Sequence, residues 1–192
     1  MKERPILFSS EMIKAILEGR KTMTRRVIRF KKSNLRDITI PMPQECPYGK
    51  PGDRLWVRES YKDWSSGTNR ISYRADYTKD DEDMELEVGG VTPKWRPSIF
   101  MPRWASRITL EITGIKVERL QEISEEEARR EGIEPFFGCA GTQLGWKSNK
   151  FGHYPLAVDA FKELWGSING KKYPWSSNPW VFVIEFSKVD KR

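Results

Sequence analysis

A chain of 192 residues with a net charge of +7 and a pI of about 9.4 can bury a core without disulfide or metal staples. Its two cysteines, Cys46 and Cys139, stand in unrelated contexts, which excludes a disulfide framework and suits a reducing compartment. The opening residues lack the apolar run of a signal peptide and no segment approaches a membrane span, so a cytoplasmic protein without a membrane partner is expected.

Ser9 or Ser10 is placed to cap a short helix running to Glu18, with Met12, Ile13, Ile16 and Leu17 on one face and Gly19 as its left-handed stop. Residues 21–28 should leave that helix extended. Residues 30–51 read as loop, punctuated by Pro41, Pro43, Pro47 and Pro51. A turn at Pro51-Gly52-Asp53 leads into a strand over 54–59, and 71–74 is a second, shorter one. The acidic stretch 76–94 reads as an exposed insertion. From Ser106 onward Ile108, Leu110 and Ile112 alternate up to Gly114, and Ile115 and Val117 follow it. A glycine there marks a bend or bulge of the kind a small closed barrel needs.

Ser124 and Glu127 form a capping box for a short helix that ends at Glu131 and is stopped by Gly132. Residues 134–153 read as loop. Pro155 opens a third helix with Leu156, Ala157, Ala160, Phe161, Leu164 and Trp165 on one stripe, ending at Gly166. The run 180–186 is almost wholly apolar, as a buried central strand requires. Strands outnumber the short helices. The expected fold is therefore α+β, a single domain over 1–192. It is a small mixed β-barrel with helices at its mouth and rim and insertions around 30–51, 60–105 and 134–155.

Charge is segregated. Arg20, Lys21, Arg25, Arg26, Arg29, Lys31, Lys32 and Arg36 follow one another with no acid among them, while acids gather at 80–85 and 122–134. A one-sided positive potential of this kind attracts phosphate-bearing partners. The same stretch sets Lys21 and Thr24 just after a glycine-stopped helix. Threonine is a weak nucleophile without an adjacent base, and lysine serves as that base only when burial or neighbouring cations lower its pKa. Arg20, Arg25 and Arg26 supply such neighbours. A basic turn with an incidental threonine is the plainer alternative, since residues three apart in an extended segment face opposite ways unless the chain bends.

Glu131 ends its helix against the negative dipole, which raises a carboxylate's pKa toward the range useful for proton transfer. Over 54–107 aromatic and basic residues interleave: Trp56 with Arg54 and Arg58, Tyr73 with Arg74, Trp95 with Arg96, Trp104 with Arg103 and Arg107. Rings beside cations suit unpaired bases and their phosphates. Trp56 and Trp104 read as core, and Trp95 as the more available ring. Cys46, Cys139 and His153 lack paired ligand spacing, so no metal and no cofactor is expected. There is no glycine-rich phosphate loop and no nucleophile elbow.

Gly19, Lys21 and Arg26 fit a GxKxxxxR signature. With CPYGKPGDRLWVRES, RPSIFMPRWASRITLEITGIKVERL, ISEEEARREGI, AFKELWGSING and NPWVFVIEF, the chain resembles the longer phage- and prophage-encoded members of the ASCH domain family, a branch of the PUA-like β-barrels. Residues 60–94 and 134–155 are the least anchored. The resemblance implies a small β-barrel associated with RNA or modified-nucleobase recognition. Short bacterial members similar to this chain are amidohydrolases that remove the acetyl group of N(4)-acetylcytidine with a lysine, a threonine and a glutamate. On that resemblance Lys21 and Thr24 fall in the GRKTxTxR segment, and EARREGI places the glutamate at Glu131.

It implies a Lys21-activated Thr24 nucleophile with Glu131 handling protons. Arg26, with amides near Gly19, would face the oxyanion. Arg20, Arg58, Tyr73 and Trp95 follow from the basic and aromatic pattern as substrate or phosphate contacts. The chain departs from those hydrolases in its length, its aromatic-rich insertions and Arg25, which replaces an apolar neighbour. Other members are nucleases or binders, so the alternative expectation is a non-catalytic RNA-, DNA- or modified-base-binding module, or a metal-independent ribonuclease. The expected partner is a modified nucleoside or single-stranded nucleic acid.

Overall fold

Strand and helix formation follow the apolar periodicities closely. A computed structural model describes residues 1–30, 40–64, 70–78, 81, 93–139, 141–147 and 152–189. Lys31, Lys32, Arg36 and most of the acidic stretch 76–94 lie outside the described residues. The strands are β1 (Glu3–Leu7), β2 (Met23–Val27), β3 (Arg54–Arg58), β4 (Tyr61–Asp63), β5 (Ile71–Tyr73), β6 (Thr109–Arg119), β7 (Glu134–Phe137), β8 (Gln143–Lys147), β9 (His153–Tyr154) and β10 (Trp180–Val189). The helices are α1 (Ser10–Leu17), α2 (Glu125–Arg130) and α3 (Ala157–Asn169). The class is α+β. Among the described residues no helix is long and apolar enough to cross a membrane.

β10 is an interior strand, between β6 and the edge strand β2, in a five-stranded sheet of order β1-β3-β6-β10-β2, in which β1 and β3 are parallel and the other pairs antiparallel. Its unbroken apolar run is explained by two cores, one on each face. Phe182, Ile184 and Phe186 join Ile6, Phe8, Leu55, Val57, Leu110 and Ile112, covered by Ile13 and Ile16 of α1. Val181 and Val183 instead join Met23 and the buried stripe of α3. The expected bulge is present: the register shifts between Glu185, opposite Gly114, and Phe186, opposite Ile112, which leaves Thr113 as the extra residue.

The sheet's outermost strands meet through a side chain. Arg26 of β2 donates from Nη2 to the Leu7 carbonyl of β1 at 2.7 Å. Among the described residues no strand ladder joins those two edges. A smaller cluster of Tyr61, Met101 and Ala105 packs with the β4–β5 hairpin.

Two expectations are corrected and one strand is added. Residues 134–153 are not simply loop: β7, β8 and β9 form a three-stranded sheet, with Trp146 and Tyr154 packed against the α3 core. Four glycines, Gly138, Gly141, Gly145 and Gly152, break the alternation that would have revealed it. α3 does not stop at Gly166 but runs to Asn169, because Trp165 anchors the turn and the Gly170 amide closes onto the Gly166 carbonyl at 3.0 Å. β1 was not anticipated; its Pro5 is tolerated because β1 is an edge strand.

Candidate functional site

Two short helices, each ended by glycine, meet at one junction. Ser9 caps α1, and Gly19 ends it at a φ of +77°. The Ser124 hydroxyl caps α2 through the Glu127 amide, Glu127 reaches back to the Ser124 amide at 3.1 Å, and Gly132 turns the chain at a φ of +95°. The Lys21 amide donates to the Ala15 carbonyl, and the Thr22 amide to the Arg130 carbonyl, both at 2.9 Å. Lys21 and Glu131 are thereby held opposite each other as an isolated antiparallel bridge. A Cβ at Gly132 would stand 2.9 Å from the Cβ atoms of Ala15 and Lys21, so only glycine permits this approach.

The Lys21 ammonium is fully withdrawn from water. Its side chain is 0% exposed and that of Glu131 3%, and Nζ donates to Glu131 Oε2 at 2.7 Å and to the Glu131 carbonyl at 2.8 Å. Glu131 Oε1 accepts from Arg25 Nη1 at 3.2 Å, while Arg25 Nη2 reaches Glu118 at 2.7 Å and Glu127 at 2.8 Å. Lys116 pairs in turn with Glu118 and Glu127. Cations and carboxylates alternate through this buried cluster, which limits the desolvation penalty of any one charge.

Burial pushes the Lys21 pKa below its ordinary 10.5; Glu131 opposes that shift, and the charges of Arg26 and Arg25 add to it. Burial alone would raise Glu127. The Lys116 hydrogen bond, the Ser124 amide and the Arg25 charge outweigh it and hold that carboxyl below 4.5. Arg25 is thus the shared counterion of three glutamates rather than a loose member of a basic turn.

Strand alternation in β2 sends Met23 and Arg25 toward the α3 core, and Thr24 and Arg26 toward the other face, opposite Ile184 and Phe182. Thr24 is buried. Lys21 Nζ lies 5.7 Å from the centre of the Phe8 ring and Arg26 Cζ 5.2 Å from the same centre, with Tyr48 at 6.0 Å from Arg26. An amine, a guanidinium and two rings gather there, with Thr24 on the face that carries Arg26. Among the described residues no hydrogen bond joins Lys21 to Thr24; the amine is given to Glu131.

The remaining candidates divide. Arg26 keeps most of its donors free beyond the Leu7 contact, and its Nε is buried without a partner. The Gly19 amide is already spent on the Ile16 carbonyl at 3.1 Å, which leaves oxyanion contact to Arg26. Arg20 bonds Glu18 at 2.7 Å and the Gly132 carbonyl at 2.8 Å, so it fastens the junction. Arg58 stacks on Trp56 at 4.6 Å and stands opposite Leu7 in register.

Tyr73 is built into the β4–β5 cluster: its hydroxyl donates to the Ala105 carbonyl at 2.9 Å, Arg107 covers its ring, and burial raises its phenol pKa. Trp95 meets Tyr77 edge-on at 4.9 Å with Lys62 and Arg74 over its ring. Neither is brought into the Lys21–Glu131 cluster. Trp56 is core, at 8% exposed, but Trp104 is 69% exposed. On the turn Arg103–Ala105 it is Ala105 that faces inward, which overturns the core reading of Trp104. Cys46 lies in the main core, Cys139 is exposed, and His153 stacks on Phe136 at 3.4 Å, so the three stand apart.

Sequence reasoning missed Phe8, Tyr48 and Glu118, and saw Glu127 only as a cap. Alternation of Ile6 and Phe8 was the one available signal for the ring. Compared with protein-family models, curated proteins and solved structures, the chain matches none.

Proposed function

We propose that the five-stranded sheet belongs to a PUA-like barrel of the ASCH type and that the chain is an amidohydrolase acting on an N(4)-acylated cytosine or cytidine. One observation supports the proposal: a buried amine–carboxylate pair, Lys21 and Glu131, is pinned on a glycine junction, with the charge of Arg26 bearing on both. In this reading Glu131 takes a proton from Lys21 along their 2.7 Å contact. The neutral amine then turns to accept the Thr24 proton, and Oγ1 attacks the acyl carbon. Arg26 stabilises the oxyanion. The bond from acyl carbon to exocyclic nitrogen breaks, and Lys21 returns its proton to the leaving amine. Water, deprotonated by the same amine, hydrolyses the acyl-threonine to the free acid and restores Thr24. Every step uses side chains of this chain.

The test is incubation of the purified protein with N(4)-acetylcytidine and its longer-acyl analogues. Free acid and cytidine are expected, and are lost in Lys21→Met, Thr24→Ala and Glu131→Gln variants whose circular dichroism matches the parent. Absence of product from every acylcytidine contradicts the proposal.

A second reading is favoured by one contact: Lys21 Nζ is bonded to Glu131 rather than to Thr24. Lys21–Glu131 is then a structural ion pair in a non-catalytic module, and Arg26, Phe8 and Tyr48 hold a modified base. That module binds acylcytidine without turnover, and equally well in Thr24→Ala.

A further inference from the structure

We infer that Lys116 is a positioning residue for the Lys21–Glu131 pair, acting on it from the protein surface through Glu118, Glu127 and Arg25. For its bearing on catalysis the inference rests on the reading above, and it adds a residue that touches neither Lys21 nor Thr24. Arg25, the middle of the path, is also where the chain departs from the hydrolases it resembles. The sheet register builds that path. Val183 of β10 stands opposite Arg25 of β2 on one side and opposite Lys116 of β6 on the other, so the two cations share one face of the sheet. Glu118, two residues along β6, pairs with both, and Glu127 of α2 reaches both from above.

Exposure falls steadily along it. The Lys116 side chain is 42% exposed, those of Glu127 and Glu118 16% and 11%, and those of Arg25 and Lys21 0%. Arg25 Nη2 is held by Glu118 at 2.7 Å and by Glu127 at 2.8 Å, whereas Nη1 meets Glu131 at 3.2 Å. The link to Glu131 is the longest of the three. It persists because Lys116 shares both outer carboxylates and keeps them from drawing Arg25 away.

Charge in the cluster is balanced: the cations Lys21, Arg25 and Lys116 meet the carboxylates Glu118, Glu127 and Glu131. Arg26 faces Lys21 and Glu131 from β2 and adds its charge, while the neighbouring Arg20 and Arg130 hold Glu18 and Glu185. Without Lys116 the cluster carries an uncompensated negative charge, which favours the ammonium at Lys21. Without Glu118 it carries a positive one, which disfavours it.

The test follows Lys21 itself, by NMR titration of protein carrying isotope-labelled lysine, its resonance identified by its loss in Lys21→Met. Lys116→Met should move the Lys21 midpoint up, and Glu118→Gln should move it down. The double variant should return it toward the parent, and Lys116→Arg should leave it in place. In acylcytidine hydrolysis, kcat/KM below the midpoint should fall roughly three- to ten-fold in Lys116→Met with little change in KM, because less of the amine is neutral.

The inference is overturned if Lys116→Met titrates Lys21 like the parent. It is equally overturned if both single variants move the midpoint the same way, since lost packing adds in the double variant whereas opposite charges cancel. Hydrolysis of acylcytidine with a Lys21 midpoint indifferent to Lys116 overturns it while leaving the amidohydrolase reading intact. Midpoints that move as expected in a protein that hydrolyses no acylcytidine support it and contradict that reading.

Discussion

Lys21 is the residue on which the proposed chemistry turns, because its ammonium is buried between two competing electrostatic influences. Burial, Arg26 and Arg25 favour the neutral amine, and Glu131 favours the charged one. The folded-state pKa lies below 10.5, so between that value and 10.5 the unfolded chain binds more protons than the folded one. Stability from this group therefore rises with pH across that window, and the penalty of the buried charge is fully present below it. In the proposed mechanism activity follows the same direction, since only a neutral amine can accept the Thr24 proton. A kcat/KM profile for acylcytidine hydrolysis should climb with pH through a midpoint below 10.5.

Arg25 makes a sharper test at this scale. Arg25→Met removes a cation that disfavours the Lys21 charge, so the midpoint should move up. Stability in urea should fall by about 3–5 kcal/mol as buried Glu118 and Glu131 and partly buried Glu127 lose their shared partner. Glu118→Gln unloads Arg25 and should move the midpoint down. The helix stops beside Lys21 and Glu131 were legible because they are local signals, but that the two side chains meet was not. Arg25 was not, since Glu118 and Glu127 lie 93 and 102 residues away and nothing local announces that they meet.

The elements around the junction were read with little error for the same reason. Caps and left-handed glycines act within a few residues, so α1, α2 and their stops at Gly19 and Gly132 could be placed from side-chain chemistry alone. What the sequence did not convey is that Gly132 serves a second purpose, giving Lys21 and Ala15 room to approach. Gly132→Ala combines a strained backbone with that overlap and should cost at least about 1–3 kcal/mol. Thermal melting would show this, together with loss of the Lys21 pKa shift as the two helices separate. The strands over 134–154 were illegible because their pairing, not their composition, makes them strands.

At the scale of the molecule the strand pattern and the glycine at 114 led to the expectation of a small closed barrel, and the structure has a five-stranded sheet with the bulge in place. Among the described residues its edges are joined by the Arg26–Leu7 contact and not by a ladder. A second long-range device fixes the β4–β5 cluster to that sheet. Arg107 grips buried Glu59 through Nε at 2.9 Å and Nη2 at 3.0 Å, and reaches Asp76 with the same guanidinium. Burial raises the Glu59 pKa above 4.5 against the pull of Arg107. Stability from Glu59 therefore declines as pH rises through its folded pKa. Arg107→Met leaves that carboxylate alone and should cost about 3–5 kcal/mol near neutrality, less at acid pH. Most of the loss belongs to Glu59, since Asp76 is half exposed. Urea unfolding at two pH values measures both.

The most direct measurement is the covalent state of Thr24 during turnover. The protein is mixed with N(4)-acetylcytidine, quenched in acid within the first turnover, and analysed by intact-mass spectrometry and peptide mapping. The account predicts one acetyl group on the peptide that contains Thr24, absent in Thr24→Ala and in Lys21→Met. Cytidine release with no acyl-enzyme on Thr24, or acetylation confined to another residue, would contradict it.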